Sequence, residues 1–360
     1  MTGPLWALVA ALCAAGCASS EQLPHTRLGS IPFPGLFTLY ETADPAKLGP
    51  HYYEPWWARL GRPGECGRGI MYTCRAGFLD LSHLREYTDW VKYLHDHARL
   101  ALEGGPKQFG FEWSDARYDV EVVKPDWWAT LSDTERATLT EEASICFAQR
   151  FVVVLGTWHE LGTWYGQETI PGISEQGSAL TWDDTTSHVV AAIVGGRALR
   201  TPDVPWNDAV ANAMDATLTE LGAVSEDVEA KAVQRVKGIW WKDGVAIRRD
   251  LDTGLGTGVK HPWTVPGLEG CVGAAGVWPG EGVSGGEAAA LVVVGLDDVC
   301  GRDLRGVFEF TIKPEPRVMR HALGCAECPK TLDSEAEVLG VIERMRAEIK
   351  AKWGPDADHP

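Results

Sequence analysis

The segment Phe151-Val-Val-Val-Leu-Gly-Thr-Trp158-His159-Glu160-Leu-Gly-Thr-Trp164-Tyr165 has no polar stripe at helical spacing, and its only ionisable acid-base pair is an adjacent imidazole and carboxylate. A helix that is apolar all round is a buried helix. Burying such a pair costs several kcal/mol unless each group meets a charge, a hydrogen bond or a metal ion. Partners must therefore come from elsewhere in the chain.

His159-Glu160 has the opening of the His-Glu-x-x-His zinc-peptidase motif, but Thr163 stands at the second His. Neighbouring helical residues point about 100° apart, so the expected division makes His159 a metal ligand and Glu160 the general base or an outer partner. Asp80-Leu-Ser-His83 offers a carboxylate and an imidazole one turn apart at a helix start. The positive end of the helix dipole there disfavours imidazolium, which keeps His83 neutral and able to ligate. The expected set is His83, His159 and Asp80 around a divalent ion, zinc by preference, with Glu160 as base. Zinc needs at least three protein groups; Glu168, His188 and His261 are further candidates. A competing reading makes Asp80 only a cap, His83 and His159 core histidines, and Glu160 the ion-pair partner of Arg75 or Arg85. His95 and His97 are expected on a half-exposed, solvated helix face. Gly254-Leu-Gly256-Thr-Gly258 lacks the strand and helix of a phosphate cradle, and no Gly-x-Ser-x-Gly elbow is present.

Periodicity and capping signals predict helices over 80–103, 132–165 (with a break allowed near Thr138), 181–200, 206–221, 225–237 and 334–353. Strands are expected over 107–113 and 118–124 as an antiparallel pair, and over 290–297 and 306–313. The Gly- and Pro-rich stretch 251–290 reads as a loop able to close over the site. The expected fold is α+β: a single domain over 64–355, mainly a helical bundle with a small antiparallel sheet, preceded by a tether and irregular arm over 18–63.

The chain has 360 residues, 45% of them hydrophobic, enough for a sizeable core. Its formal net charge of -17 argues against nucleic acid as a partner. Sixteen Trp residues are expected in the core or along a groove. Residues 1–17 read as an export signal too short to span a bilayer, ending in Ala14-Ala15-Gly16-Cys17, which resembles a bacterial lipoprotein box. Cys17 is then the lipidation site, and Ala18, in place of the Asp that retains lipoproteins at the inner membrane, implies the outer membrane, facing the periplasm. That compartment supports disulfides. Cys66, Cys74, Cys271, Cys300, Cys325 and Cys328 could form up to three, with at least two expected, and Cys146 is expected to stay a buried thiol.

Gly69-Ile-Met-Tyr72-Thr-Cys74-Arg75-Ala-Gly77-Phe78-Leu-Asp80-Leu-Ser-His83-Leu-Arg85 and Thr157-Trp158-His159-Glu160-Leu-Gly-Thr-Trp164-Tyr165-Gly166 resemble the two signature blocks of an uncharacterised bacterial lipoprotein family, domain of unknown function 4056. Ala76 replaces an expected Gly. The likeness is looser over roughly residues 30 to 320. It implies an envelope lipoprotein whose two blocks share one domain, and it supplies no reaction. The function expected from the residues is a metal-dependent hydrolase of an envelope peptide or glycan. The alternative is a non-catalytic binding or structural lipoprotein with a buried His/Glu network.

Overall fold

The computed structural model describes residues 23–27, 42–55, 58, 61–114, 116–166, 176–243, 245–269, 271, 277–278, 290–323 and 330–360. Cys17 with its leader, Glu168, Cys325, Cys328 and much of the 251–290 loop lie outside them.

A hairpin that the sequence reading did not assign comes first, β1 (Ile70–Thr73) and β2 (Gly77–Asp80). Gly77 has φ +68, and a Cβ there would collide with the carbonyl of Trp263, so only glycine fits this turn. The Val265 N–H donates to Tyr72 Oη at 2.8 Å, and a Cys74–Cys271 disulfide closes the same contact. The hairpin is thus fastened at a fixed angle to residues 263–271. Its last residue, Asp80, caps α1 (Leu81–Glu103) by accepting from the Ser82 and His83 N–H groups.

β3 (Gln108–Trp113) and β4 (Ala116–Val122) pair as expected. A capping box between Ser132 and Glu135 opens α2 (Asp133–Trp164), which passes Thr138 unbroken. Then come α3 (Asp184–Leu199), α4 (Trp206–Leu221) and α5 (Glu226–Val236). α3 starts three residues later than the capping pattern suggested. The Thr181 N–H and hydroxyl both donate to Asp184 Oδ2, but no side chain caps the helix from Asp183.

Short strands follow: β5 (Trp241–Lys242) with β6 (Val245–Ala246), then β7 (Val259–Lys260), β8 (Val277–Trp278) and β9 (Ala290–Val292) in the order β7-β9-β8, with β8 parallel to β9. β9 is much shorter than the predicted 290–297 strand. β10 (Phe308–Pro314) completes an antiparallel sheet in the order β10-β4-β3. α6 (Pro316–Leu323), not anticipated, and α7 (Glu335–Trp353) end the chain.

The fold is α+β, a helical bundle with small, mostly antiparallel sheets. α1, α2 and α3 pack on one another, closely because Gly195 and Gly196 of α3 leave room for Val91 and Gln149. Phe111 stacks on Tyr118 and Phe308 on Phe147 of α2, while Tyr118 meets Phe151 of α2 edge-on. Trp90, Trp158 and Trp182 are fully buried, so these tryptophans are core.

Residues before β1 are anchored to α1 by a buried ionic network. Arg27 pairs with Glu65 and Asp89, and Arg85 with Glu65. His51 Nε2 lies 2.8 Å from Asp89, and the Arg27 N–H donates to Glu86. His95 is buried between Asp96 and Glu141, contrary to the solvated position expected, because α2 covers that side of α1. Among the described cysteines Cys66, Cys146 and Cys300 are free, so three bridges are not reached; Cys146 is buried.

Candidate metal centre

Four elements meet at the end of α1 where β2 delivers Asp80. α1 contributes His83, α2 contributes Glu160, and α3 contributes Asp184 and His188. Ligand-type atoms of His83, Glu160 and His188 all lie within 4.8 Å of one another, and so do those of Asp80, His83 and Asp184. The two sets share His83.

Each carboxylate has one oxygen committed to the protein. Glu160 Oε2 accepts the Leu180 N–H at 2.7 Å, leaving Oε1 3.9 Å from His188 Nε2. Asp184 Oδ2 is taken by Thr181, and its Oδ1 lies 3.1 Å from His83 Nδ1. Asp80 Oδ1 serves as cap and also accepts the Ser82 hydroxyl at 2.6 Å. Ligands on one tetrahedral zinc stand roughly 3.3 Å apart, given bonds of ~2.0 Å. Separations of 3.1 and 3.9 Å bracket that spacing.

His188 is 1% exposed, and its Nε2 has no hydrogen-bond partner. A buried imidazole nitrogen left so costs ~1–3 kcal/mol, a cost that a cation on its lone pair would remove. The ring is also cradled. Gly156 is one turn before Glu160 on the same face of α2, and a Cβ there would lie 2.5 Å from the ring's Cγ and Nδ1. Tyr87 flanks the other side with a centroid separation of 4.3 Å.

Burial and the charge on His83 push the His188 imidazole well below its ordinary range and His159 down to about 3. Both are neutral. Although burial alone would lower it, His83 is driven up by Asp80, Asp184 and Glu160. The expectation of a neutral His83 fails without a metal, because three carboxylates outweigh one helix dipole. Burial and the Asp184 charge lift the Glu160 carboxyl well above its usual value. A bound cation would reverse that balance.

His83 and Asp80 thus stand where the spacing placed them, beside Glu160. His159 belongs to neither ligand set. Its ring centroid is 5.8 Å from that of His83, its Nδ1 hydrogen-bonds Ser114 Oγ at 2.6 Å, and its ring packs against Trp113. His261 is exposed beside Asp252. Arg85 is occupied by Glu65 and the Leu48 carbonyl, so the alternative Arg85–Glu160 ion pair does not form. His188 takes the place foreseen for His159. Asp184 was missed because it read as part of a capping box, although Asp184-x-x-x-His188 sets both side chains on one helix face.

Fold and site together define an α+β protein with a buried His/carboxylate cluster of metal-ligand type. The chain belongs to the family described as Protein of unknown function (DUF4056), whose profile matches residues 9–249 and so covers both signature blocks. No curated protein and no solved structure matches it.

Proposed function

We propose that the chain is a metal-dependent hydrolase acting on an envelope peptide or glycan, exported and held at the outer membrane by lipid on Cys17. The observation that carries the catalytic part is the convergence of His83, Glu160 and His188, with the buried His188 Nε2 lacking any other partner. Two His and one carboxylate form a known catalytic zinc set, which leaves a coordination position open. A divalent ion there supplies Lewis acidity toward a carbonyl oxygen and acidifies water.

The roles of the adjacent pair are then exchanged relative to the expectation from sequence. Glu160 ligates through Oε1, with the Leu180 N–H holding Oε2. His159, neutral and half-buried beside Ser114 and Trp113, is the group assigned to proton exchange with substrate, its Nδ1 held by Ser114. Trp113 beside it supplies an apolar wall. Asp184 orients His83, the outer-partner arrangement that fixes a ligating imidazole.

Support for the address comes from the apolar leader and the box at Cys17. No helix among the described residues is long and apolar enough to cross a membrane.

Elemental analysis of protein purified without chelators, followed by incubation with peptidoglycan and mass spectrometry of released fragments, tests the reading. At least one equivalent of metal and metal-dependent fragment release are expected. Both should fall more than tenfold in His188→Ala, while His159→Ala should lose release and keep the metal. Absence of metal, unchanged on adding zinc back, would leave only a buried polar network.

A further inference from the structure

The first ligand set leaves a group of carboxylates unexplained. Asp183 and Asp184 stand at the start of α3 near Asp80, and ligand-type atoms of Asp80, His83 and Asp184 lie within 4.8 Å of one another. Buried charge without a counter-ion is costly.

The free oxygens indicate where a second counter-ion fits. Asp80 Oδ2 is left over once the cap hydrogen bonds are made, and Asp184 Oδ1, which faces His83 Nδ1 at 3.1 Å, keeps a second lone pair. Asp183 adds Oδ1, which is buried without a partner on a residue only 3% exposed. His83 belongs to the Asp80–Asp184 set as well as to the first. A neutral imidazole has one lone pair, so if His83 serves the ion at Glu160 and His188, the neighbouring position rests on carboxylate oxygen. Oxygen-rich positions select hard cations such as Mn²⁺ or Mg²⁺ over zinc.

We infer that the centre binds a second divalent cation on Asp80 and Asp184, with Asp183 beside it, next to the ion held by His83, Glu160 and His188. This rests on the reading of the first site as a metal centre. Two adjacent divalent ions would together hold the attacking and the leaving oxygen of a displacement.

The test is stoichiometry. The full chain, stripped of metal, is titrated with Mn²⁺ by calorimetry and read by electron paramagnetic resonance. Two equivalents per chain and an exchange-coupled signal are expected. Asp80→Asn is the chosen variant because Asn caps a helix as well as Asp. It should weaken the second equivalent at least tenfold and leave the first within about threefold of wild type. One equivalent with an uncoupled signal, unchanged by Asp80→Asn, overturns the second site and leaves the first standing. No binding at all removes both. If Asp80→Asn does not fold, wild-type stoichiometry and coupling decide alone.

Discussion

Gly156→Ala is the sharpest probe of the site's geometry, because it replaces no proposed ligand yet presses on one of them. The new methyl would lie 2.5 Å from Cγ and Nδ1 of His188 and 2.8 Å from Cδ2. Carbon contacts settle at about 3.5–4.0 Å, so the ring or the helix must retreat by about 1 Å. His188 is fully buried between α2 and Tyr87 and has no space to take up that shift. Overpacking of this kind costs ~1–3 kcal/mol. Replacing a mid-helix Gly by Ala returns ~0.5–1 kcal/mol, so the net loss of stability should be modest, about 0–2 kcal/mol. Metal binding should respond far more strongly. Metal–nitrogen distances hold within ~0.2 Å, so a ring displaced by about 1 Å ceases to be a ligand, and affinity should fall on the order of a hundredfold. Calorimetric zinc titration and thermal melts of the stripped protein measure the two effects separately. Gly195→Ala is the control: its methyl meets Val91 at 2.6 Å, a similar clash away from the His188 ring. It should lower stability and leave affinity within a few-fold of wild type. If Gly156→Ala binds zinc as wild type does, or if the two variants lose affinity equally, His188 is not a ligand in the arrangement described.

Three further outcomes follow from other parts of the fold. The Cys74–Cys271 bridge closes a loop with a sequence separation of 197, so replacing both residues by Ala should cost up to about 5 kcal/mol by chain entropy, read from denaturant midpoints; a loss below 1 kcal/mol would show that the hairpin is held without it. Glu229 is buried with neither carboxylate oxygen partnered, and burial raises its pKa to about 8. Its folded pKa exceeds the unfolded one, so this stability is present below about pH 4.5 and is lost as pH rises through 8, by up to about 5 kcal/mol. Glu229→Gln should therefore be more stable than wild type at pH 8 and above, and parallel pH profiles of the two proteins would contradict this. Cys17→Ser should move the protein from the outer-membrane fraction to the soluble periplasmic one, and unchanged fractionation would remove lipid as the anchor.

The capping signals were legible because they are local. Asp80, Ser132 and Ser334 each sit immediately before the helix they announce, and the geometry of a cap needs only the next three residues. This is why His83 was placed correctly at the first turn of α1. Features set by distant chain contacts were not accessible in that way. The burial of His95 depends on Glu141, and the fixing of the β1–β2 hairpin depends on residues 263–271.

The exchange of His159 for Glu160 has a different cause. In an amphipathic helix the apolar stripe tells which residues face inward, but α2 is buried all round along this run and offers no stripe. Its rotation is fixed by what packs against it, and two different surfaces do: α1 with α3 on one side, and the end of β3 on the other. His159 meets Trp113 and Ser114, while Glu160, about 100° around the helix, meets His83 and His188. One residue did carry the missing information. Gly156 lies a full turn before Glu160 and removes a side chain where His188 enters. A glycine one turn from a buried acid marks the face that admits a neighbour. Together with the i,i+4 spacing of Asp184 and His188, it would have selected Glu160 rather than His159 as the inward-facing member of the pair.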